Sequence, residues 1–296
     1  QVKGVVRKRD VFLCAETNRQ KLKIRVDFFQ ILYYNIIQGD LNMARNKQEK
    51  KVFHNGGFYN YRPPFNGKKK PYFTLNFLRA IVRPFFKKPK VEFKTEIPNE
   101  PVMYVCNHTK IYAPTAIVLY FRNIRMWANS YFMDYKQCWH HMKTKVLKDR
   151  KQFLPFIALI LPLVVVAFRQ MEHIPVYRDT KVRETFLEAS ECLESGRSCM
   201  VFAEQYDGEL VNKYIYNLQW GYLYSAQKYF QRTGKKLKIY PVYCSESLKT
   251  FLVGEPVEFD PDRSVKEQSA EINKYLEKTI GELGDSLPEH KIVLYK

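Results

Sequence analysis

The amino-acid sequence predicts an α/β fold, with a mixed, mostly parallel sheet flanked by helices. From about residue 91 onward, short apolar runs typical of strands alternate with longer amphipathic runs typical of helices. Two amphipathic runs stop at Gly196 and Gly234, and glycine is common just beyond the end of a helix. Strands that alternate with helices pair mainly in parallel, because each helix returns the chain to the starting edge of the sheet.

Seven segments have the length and composition of strands, and four have those of helices. The strands are predicted over residues 91–93, 102–106, 125–128, 174–177, 199–203, 237–244 and 250–257. The helices are predicted over residues 114–121, 180–195, 220–232 and 264–283.

The length of 296 residues is enough for one large domain with a substantial core. Residues 53–296 are predicted to form this single domain, and residues 1–52 a basic N-terminal arm that precedes it.

The six cysteines include no C-x-x-C pair, and several lie in apolar runs, which indicates buried, reduced thiols in a cytosolic protein. The run Cys138 to His141 lacks a second half with ligand spacing, so no metal site is predicted.

The net charge of +19 is large, and such a field attracts anions. Nucleic acid, anionic lipid and phosphorylated substrates all qualify, and charge alone does not choose among them. The sequence has no recognisable nucleic-acid-binding motif, so no nucleic-acid partner is expected.

An N-terminal amphipathic helix that associates with a membrane is predicted at about residues 73–88. Arg79, Arg83 and Lys87 recur every fourth residue among many apolar and aromatic side chains. A basic, aromatic-rich amphipathic helix fits a membrane surface, and a surface helix packed on the core fits the same pattern equally well. Pro84 is expected to end or bend the helix.

Residues 153–168 are the most apolar stretch of the chain. The stretch carries Pro155 and Pro162 and is shorter than the roughly 20 apolar residues that a spanning helix needs. We therefore expect a segment that is buried or inserted into a membrane interface, and a true span is the less favoured alternative. Residues 143–151, just before it, are basic, as expected near anionic headgroups.

His108 follows a strand-like run and precedes a helix-like run. Strand ends of α/β sheets open onto the crevice where ligands bind, so His108 is well placed for proton transfer, and Asn107 and His108 are the candidate catalytic residues. A turn histidine that caps the next helix is the alternative interpretation.

Two other predicted strands also end in polar side chains. Arg178 follows one strand and Glu204 follows the next, and parallel pairing would bring both to the edge that carries His108. An arginine there can bind phosphate through two hydrogen bonds, and a glutamate can accept one from a hydroxyl. Alternatively, Arg178 and Asp179 form a surface ion pair, and Glu204 is a solvated loop residue.

The order of these motifs resembles that of the glycerophosphate/lysophosphatidate acyltransferase family (PlsC-like). That family has a histidine, often preceded by asparagine, then an Ile-Pro-Val-type strand ending in arginine, a Phe-Pro-Glu-Gly strand end, and a final Val-Pro strand. The resemblance extends from about Leu78 to Asp260 and rests on Asn107-His108, 174–178, 202–204 and 239–242.

The resemblance implies transfer of a fatty acyl group from a thioester to the hydroxyl of a lysophospholipid. The donor would be acyl-CoA or acyl carrier protein, with no further cofactor. His108 would act as general base, Arg178 and Lys110 would hold the acceptor's phosphate, and Glu204 with Gly208 would hold its glycerol portion. The expected location is the cytoplasmic face of a membrane, peripheral or monotopic, on anionic lipid.

Two positions depart from the family's pattern. Ala113 stands where the family has the aspartate that orients the histidine, and Gln205 stands where it has glycine, with Gly208 the nearest replacement. Another acid can substitute, a subgroup can use a small residue there, or the residue was altered to inactivate the protein. The candidate acids are Asp134, Asp179 and Asp207. A catalytically impaired, lipid-binding relative of the family is therefore the alternative function.

Overall fold

The computed structural model describes residues 73–96, 98, 100–121, 124–148, 151–177, 180–205 and 207–294. The predicted basic arm (1–52) lies outside these residues, as do Arg178 and Asp179. Within them, the predicted α/β class, with a mostly parallel sheet flanked by helices, is confirmed.

Strands and helices alternate along the described chain. The strands are β1 (Lys90–Phe93), β2 (Met103–Cys106), β3 (Ile124–Asn129), β4 (Ile174–Val176), β5 (Ser198–Val201), β6 (Leu210–Asn212), β7 (Ile215–Tyr216), β8 (Lys238–Ser245), β9 (Thr250–Val253) and β10 (Val257–Glu258). The α-helices are α1 (Phe73–Val82), α2 (Tyr112–Tyr120), α3 (Tyr135–His141), α4 (Leu154–Gln170), α5 (Val182–Glu194), α6 (Leu223–Thr233) and α7 (Val265–Asp285). Short 3-10 turns span Arg83–Phe85, Ser130–Met133 and Lys151–Phe153, and Met142–Val146 form a π-helical turn.

The main sheet has the strand order β1-β9-β8-β2-β5-β3-β4, and β10 pairs with β8. Strands β8, β2, β5, β3 and β4 all run in parallel. Strand β9 is antiparallel to β8 and carries β1 in parallel. The carboxyl ends of the five parallel strands therefore lie at one edge of the sheet, which is the edge that the sequence predicts for ligand binding.

The central strands are buried on both faces. Met103 and Val105 of β2 face one apolar cluster, with α5, α6 and α7, whereas Tyr104 and Cys106 face another, with α2. This alternation follows from the period of two in a strand, and burial on both sides explains why these strands are continuously apolar in sequence. A third cluster joins α4 to residues 131–147.

Helix α1 is shorter than the predicted helix of about residues 73–88. It ends at Val82, a 3-10 turn containing Pro84 follows, and β1 begins at Lys90. Proline cannot donate the main-chain hydrogen bond that would continue the helix. The sequence-based assignment also missed the helical turns between residues 130 and 146 and the β6–β7 hairpin, because their apolar spacing is irregular.

The β6–β7 hairpin is fixed to α7 by side-chain hydrogen bonds. Asn212 donates to the carbonyl of Glu277, whose carboxylate accepts from the N–H of Leu218. The hydroxyl of Tyr214 donates to Asp285 over 2.9 Å. The C-terminal helix thereby supports the segment that approaches the carboxyl edge of the sheet.

Replacing Gly284 in α7 with alanine is expected to destabilise the protein by about 1 to 3 kcal/mol. A Cβ atom there would lie 2.7 Å from the ring of Tyr214, and this overlap outweighs the gain in helix propensity of up to about 1 kcal/mol. Urea denaturation of Gly284→Ala is the measurement, with Glu282→Ala on the exposed face of α7 as the control. A variant as stable as the native protein would contradict the tight contact.

Candidate active site

His108 lies in the loop that leaves β2 at the carboxyl edge of the sheet. The loop is tied to the neighbouring strand by Asn107, whose side-chain amide donates to the carbonyl of Cys244 and accepts from the N–H of the same residue, at 3.2 and 2.6 Å. The two bonds replace the main-chain hydrogen bonds that would pair β2 with β8 if the strands continued. Asn107 therefore holds the backbone just before His108 in a fixed place.

Thr109 fixes the loop on the other side of His108. Its hydroxyl accepts a hydrogen bond of 2.9 Å from the N–H of Ala113 and contacts the sulfur of Cys244 at 3.9 Å. The first of these bonds satisfies an amide in the first turn of α2, which would otherwise have no acceptor. Thr109, the residue after the histidine, thus satisfies this amide from outside the helix, two residues before the N-cap position at Ile111.

Glu204 meets His108 across the chain, 96 residues away in sequence. One carboxylate oxygen accepts from the main-chain N–H of His108, and the other accepts from the N–H of Tyr216 at 3.0 Å. Glu204 is buried, so the interpretation of it as a solvated loop residue is wrong. The carboxylate joins the histidine loop to the β6–β7 hairpin.

Burial sets the charge of both groups. Loss of solvent lowers the pKa of His108 to about 3, so its ring is a neutral imidazole near pH 7 with a nitrogen lone pair that can accept a proton. Loss of solvent also raises the pKa of Glu204 to about 7, although the two N–H donors act in the opposite direction. The ring of Phe202 lies against that of His108, with centroids 4.9 Å apart.

The nearby thiols are not suited to act as nucleophiles. Burial raises the pKa of Cys106 and of Cys244 far above the usual range of a thiol, so both stay protonated at neutral pH. Their sulfurs contact main-chain or hydroxyl groups of the loop. The imidazole of His108 and the carboxyl of Glu204 are therefore the groups here that can take part in proton transfer. In the described part of the chain, no three His, Cys, Asp or Glu side chains are grouped to hold a metal ion.

Ala113 is fully buried and belongs to the apolar cluster between α2 and the sheet. Of the candidate acids, Asp134 accepts from the N–H of Gln137 as the N-cap of α3, and Asp207 is exposed in a turn. Asp179 lies outside the described residues. The backbone contact with Glu204, which the sequence did not reveal, is instead what fixes the histidine loop.

Of the other predicted site residues, Lys110 and Gly208 lie near the same edge. Lys110 adopts a left-handed backbone conformation with φ of 49° directly after Thr109. Gly208 lies in the turn after Glu204, where a Cβ atom would be 1.8 Å from Oδ1 of Asn217. Arg178 lies outside the described residues and follows β4, which ends at Val176 at this same edge. The proposed binding roles of these residues stay predictions.

Helices α1 and α4 and the 3-10 turns next to them present apolar side chains to solvent. The exposed set is Phe77, Ile81, Phe85, Phe153, Phe156, Leu159, Leu163 and Val166. The opposite side of α4 packs Ile157, Leu161, Val165 and Phe168 into the third cluster, so the helix is apolar all round. We name the exposed set of eight side chains the apolar face.

By length and composition, one helix in the described part of the chain could cross a membrane. It is Lys151–Gln170, with 20 residues and a mean hydropathy of 2.1. Core helices of soluble proteins meet the same criterion, but only 28% of the apolar window of this helix is buried. The exposed side chains of this helix belong to the apolar face.

Two arginines of the predicted membrane helix have a packing role. Arg79 donates to the carbonyl of Val118, and Arg83 donates twice to that of Leu119. These carbonyls belong to the last turn of α2, where no helical N–H can reach them and where positive charge is favoured. Arg79 and Arg83 therefore pack α1 on the core, as the alternative interpretation of the sequence expected.

In structure, the chain is similar to the 1-acyl-sn-glycerophosphate (LPA) acyltransferase PlsC from Thermotoga maritima. The sequences are 13% identical, the match covers 90% of this chain and 99% of that chain, and the TM-score is 0.45. No protein-family model matches the chain, and no curated protein matches it significantly.

The raised pKa of Glu204 is expected to make the stability of the protein depend on pH. Its pKa is about 7 in the folded protein against 4.5 ordinarily, so between these values the folded state holds a proton that the unfolded chain has released. The contribution of Glu204 to the free energy of unfolding therefore falls by about 2 to 3 kcal/mol as the pH rises from 4.5 to 7. The measurement is the unfolding free energy of the native protein minus that of Glu204→Gln, from pH 5 to pH 8.

This difference should fall with pH, because histidines that titrate in the same range are common to both proteins and cancel. A difference that stays constant or grows with pH would show that Glu204 is not held in the environment described.

Proposed function

We propose that the protein transfers a fatty acyl group from a thioester, acyl-CoA or acyl carrier protein, to the hydroxyl of a lysophospholipid such as 1-acyl-glycerol-3-phosphate. The observation that carries the proposal is the hydrogen bond from the main-chain N–H of His108 to the carboxylate of Glu204, at the carboxyl edge of the sheet. The motif order in the sequence supports the reaction class, and the neutral, buried imidazole supports the role of the histidine.

In the proposed mechanism, His108 accepts the proton of the acceptor's hydroxyl as the hydroxyl oxygen attacks the thioester carbonyl carbon. The tetrahedral intermediate then collapses, the carbon–sulfur bond breaks, and the imidazolium returns its proton to the leaving thiolate. The products are an ester and a free thiol, and the histidine ends neutral, as it began.

Glu204 has two roles in this proposal. Its contacts with the N–H groups of His108 and Tyr216 make it a positioning residue for the base. A carboxylate has about four lone-pair sites, so the same group can also accept from a hydroxyl of the glycerol. Arg178 and Lys110 are proposed to bind the acceptor's phosphate, Gly208 to leave room for the glycerol, and Asn107 to hold the loop of the base.

Replacing His108 with alanine is expected to lower turnover by a hundredfold or more, the order of magnitude that general base catalysis supplies. The assay mixes the protein with palmitoyl-CoA and lysophosphatidate in mixed micelles and follows release of free thiol. His140→Ala, in α3, is the matched control and should retain turnover. Unchanged thiol release by a folded His108→Ala variant would remove the histidine from the mechanism.

The alternative is a catalytically impaired protein of the same fold that binds lipid. Burial of Ala113 in an apolar cluster favours it, because no carboxylate stands at the position that would orient the histidine. Ala113→Asp in the same assay separates the two functions. A large gain from an inactive start would support the impaired protein, whereas His108-dependent turnover of the native chain would exclude it.

We further propose that the protein binds the cytoplasmic face of a membrane as a peripheral or monotopic protein. The apolar face supports insertion to the level of the acyl chains, and Lys87, Lys88, Lys148 and Lys151 are exposed basic residues close to it in sequence. Both lipid substrates reside in the bilayer, so this position would bring them to the site.

Leu159→Glu is expected to weaken binding to vesicles that contain anionic lipid by about tenfold or more. Leu159 is 78% exposed, and burying a leucine in the bilayer is worth about 2 kcal/mol. Vesicle sedimentation measures the effect, and Leu210→Glu, an exposed leucine in β6, is the control. Equal binding by both variants would place the membrane contact elsewhere.

A further inference from the structure

The turn between β8 and β9 lies beside the histidine loop. Strand β8 is parallel to β2 and next to it, so the turn of residues 246–249 leaves the sheet at the edge that carries His108. Cys244, near the end of β8, bonds to Asn107 and contacts Thr109. The turn is therefore two residues from the contacts that hold the proposed base.

Three lysines from distant parts of the chain meet at this turn. Lys249 ends the turn, Lys110 lies in the histidine loop, and Lys291 is attached through its carbonyl, which accepts from the hydroxyl of Ser247 at 3.2 Å. We name Lys110, Lys249 and Lys291 the lysine cluster. Lys110 and Lys249 both have positive φ, 49° and 56°, a conformation uncommon for residues other than glycine.

The positive charges of the lysine cluster act on one carboxylate. Burial raises the pKa of Glu246, and the positive charges of Lys249, Lys291 and Lys110 oppose that rise. Lys249 and Lys291 together with the carboxylate of Glu246 leave 2 − 1 = +1 at this turn. In the described part of the chain, neither Lys249 nor Lys291 has a carboxylate within 4.0 Å. Their charge is available to a bound anion.

A buried hydroxyl adds a donor to the same place. Tyr112 is only 3% exposed, and its hydroxyl has no hydrogen-bond partner among the described residues. The ammonium group of Lys249 lies 4.4 Å from the centre of its ring. Burial raises the pKa of Tyr112, with further contributions from the nearby Cys244 and Glu246, so the hydroxyl stays protonated and can donate. A buried donor without an acceptor is costly, and a phosphate oxygen would satisfy it.

We propose that Lys249 and Lys291 of the lysine cluster, together with the hydroxyl of Tyr112, bind the phosphate groups of coenzyme A in the acyl donor, and that Lys110 stays with the acceptor's phosphate. This inference rests on the proposed function and specifies its donor. The strand order supports a donor rather than an acceptor site, because Arg178 follows β4, on the other side of β2 from the β8–β9 turn. The two substrates would then approach His108 from opposite sides.

The test compares two thioesters that differ in their phosphates. Palmitoyl-CoA carries them, and palmitoylpantetheine has the same thioester without any. In a Lys249→Ala/Lys291→Ala variant, we expect KM for palmitoyl-CoA to rise about tenfold, with kcat and the KM for palmitoylpantetheine unchanged. Lys235→Ala/Lys236→Ala is the control, since it removes the same charge from the loop before β8, at the opposite edge.

Tyr112→Phe gives a second, independent readout. Loss of the hydroxyl should raise KM for palmitoyl-CoA by about threefold while leaving the unfolding midpoint unchanged or higher, because a buried donor without an acceptor is removed. A lower midpoint with unchanged KM would show that the hydroxyl has a structural role, and would overturn its part in the site.

Two results would overturn the proposal for the lysines. One is an equal change in KM for both thioesters, and the other is a rise in KM for lysophosphatidate alone. If no thioester is turned over, the proposed function fails, and coenzyme A binding is then measured by titration calorimetry. Binding weakened by Lys249→Ala/Lys291→Ala but not by the control would still support the site, whereas equal binding would overturn it.

Discussion

The position of the proposed base depends on one buried carboxylate. Glu204 accepts from the N–H of His108 and from the N–H of Tyr216, two amides that belong to segments more than 100 residues apart in the chain. Without it, two donors would be left in an interior with no acceptor, at a cost of about 1 to 3 kcal/mol each. Burial favours the protonated acid and the two amides favour the carboxylate, so the same contacts that fix the loop also tune its charge.

The rest of the histidine loop is built from side-chain bonds to main chain. Asn107 continues the pairing of β2 with β8 after the strands diverge, and Thr109 provides the acceptor that the start of α2 lacks. Helix α7 also helps to position the site, because its hydrogen bonds hold the hairpin that contains Tyr216. The site is thus positioned by elements from the whole length of the described chain, and the histidine contributes little to its own placement.

Helices α1 and α4 combine attachment to the core with an apolar surface. Arg79 and Arg83 bind the last carbonyls of α2, so these two charges serve the packing of the helix, which was one of the two interpretations that the sequence left open. Helix α4 packs one side into the core and leaves the other exposed. A helix with apolar residues all round gives no periodic signal, so the sequence cannot tell its buried side from its exposed one.

The sequence by itself determined the fold class, the order of the main-sheet strands and of most of the helices that flank them, and the edge at which His108 and Glu204 lie. Each of these follows from local periodicity and from the rule that parallel strands end at one edge. The tertiary structure decided which side chains meet there. Glu204 bonding to the backbone of His108, Thr109 bonding to the first turn of α2 and three lysines meeting at the β8–β9 turn all join residues distant in sequence or depend on loop geometry. No periodic pattern encodes such contacts, because they depend on how separate segments pack in space.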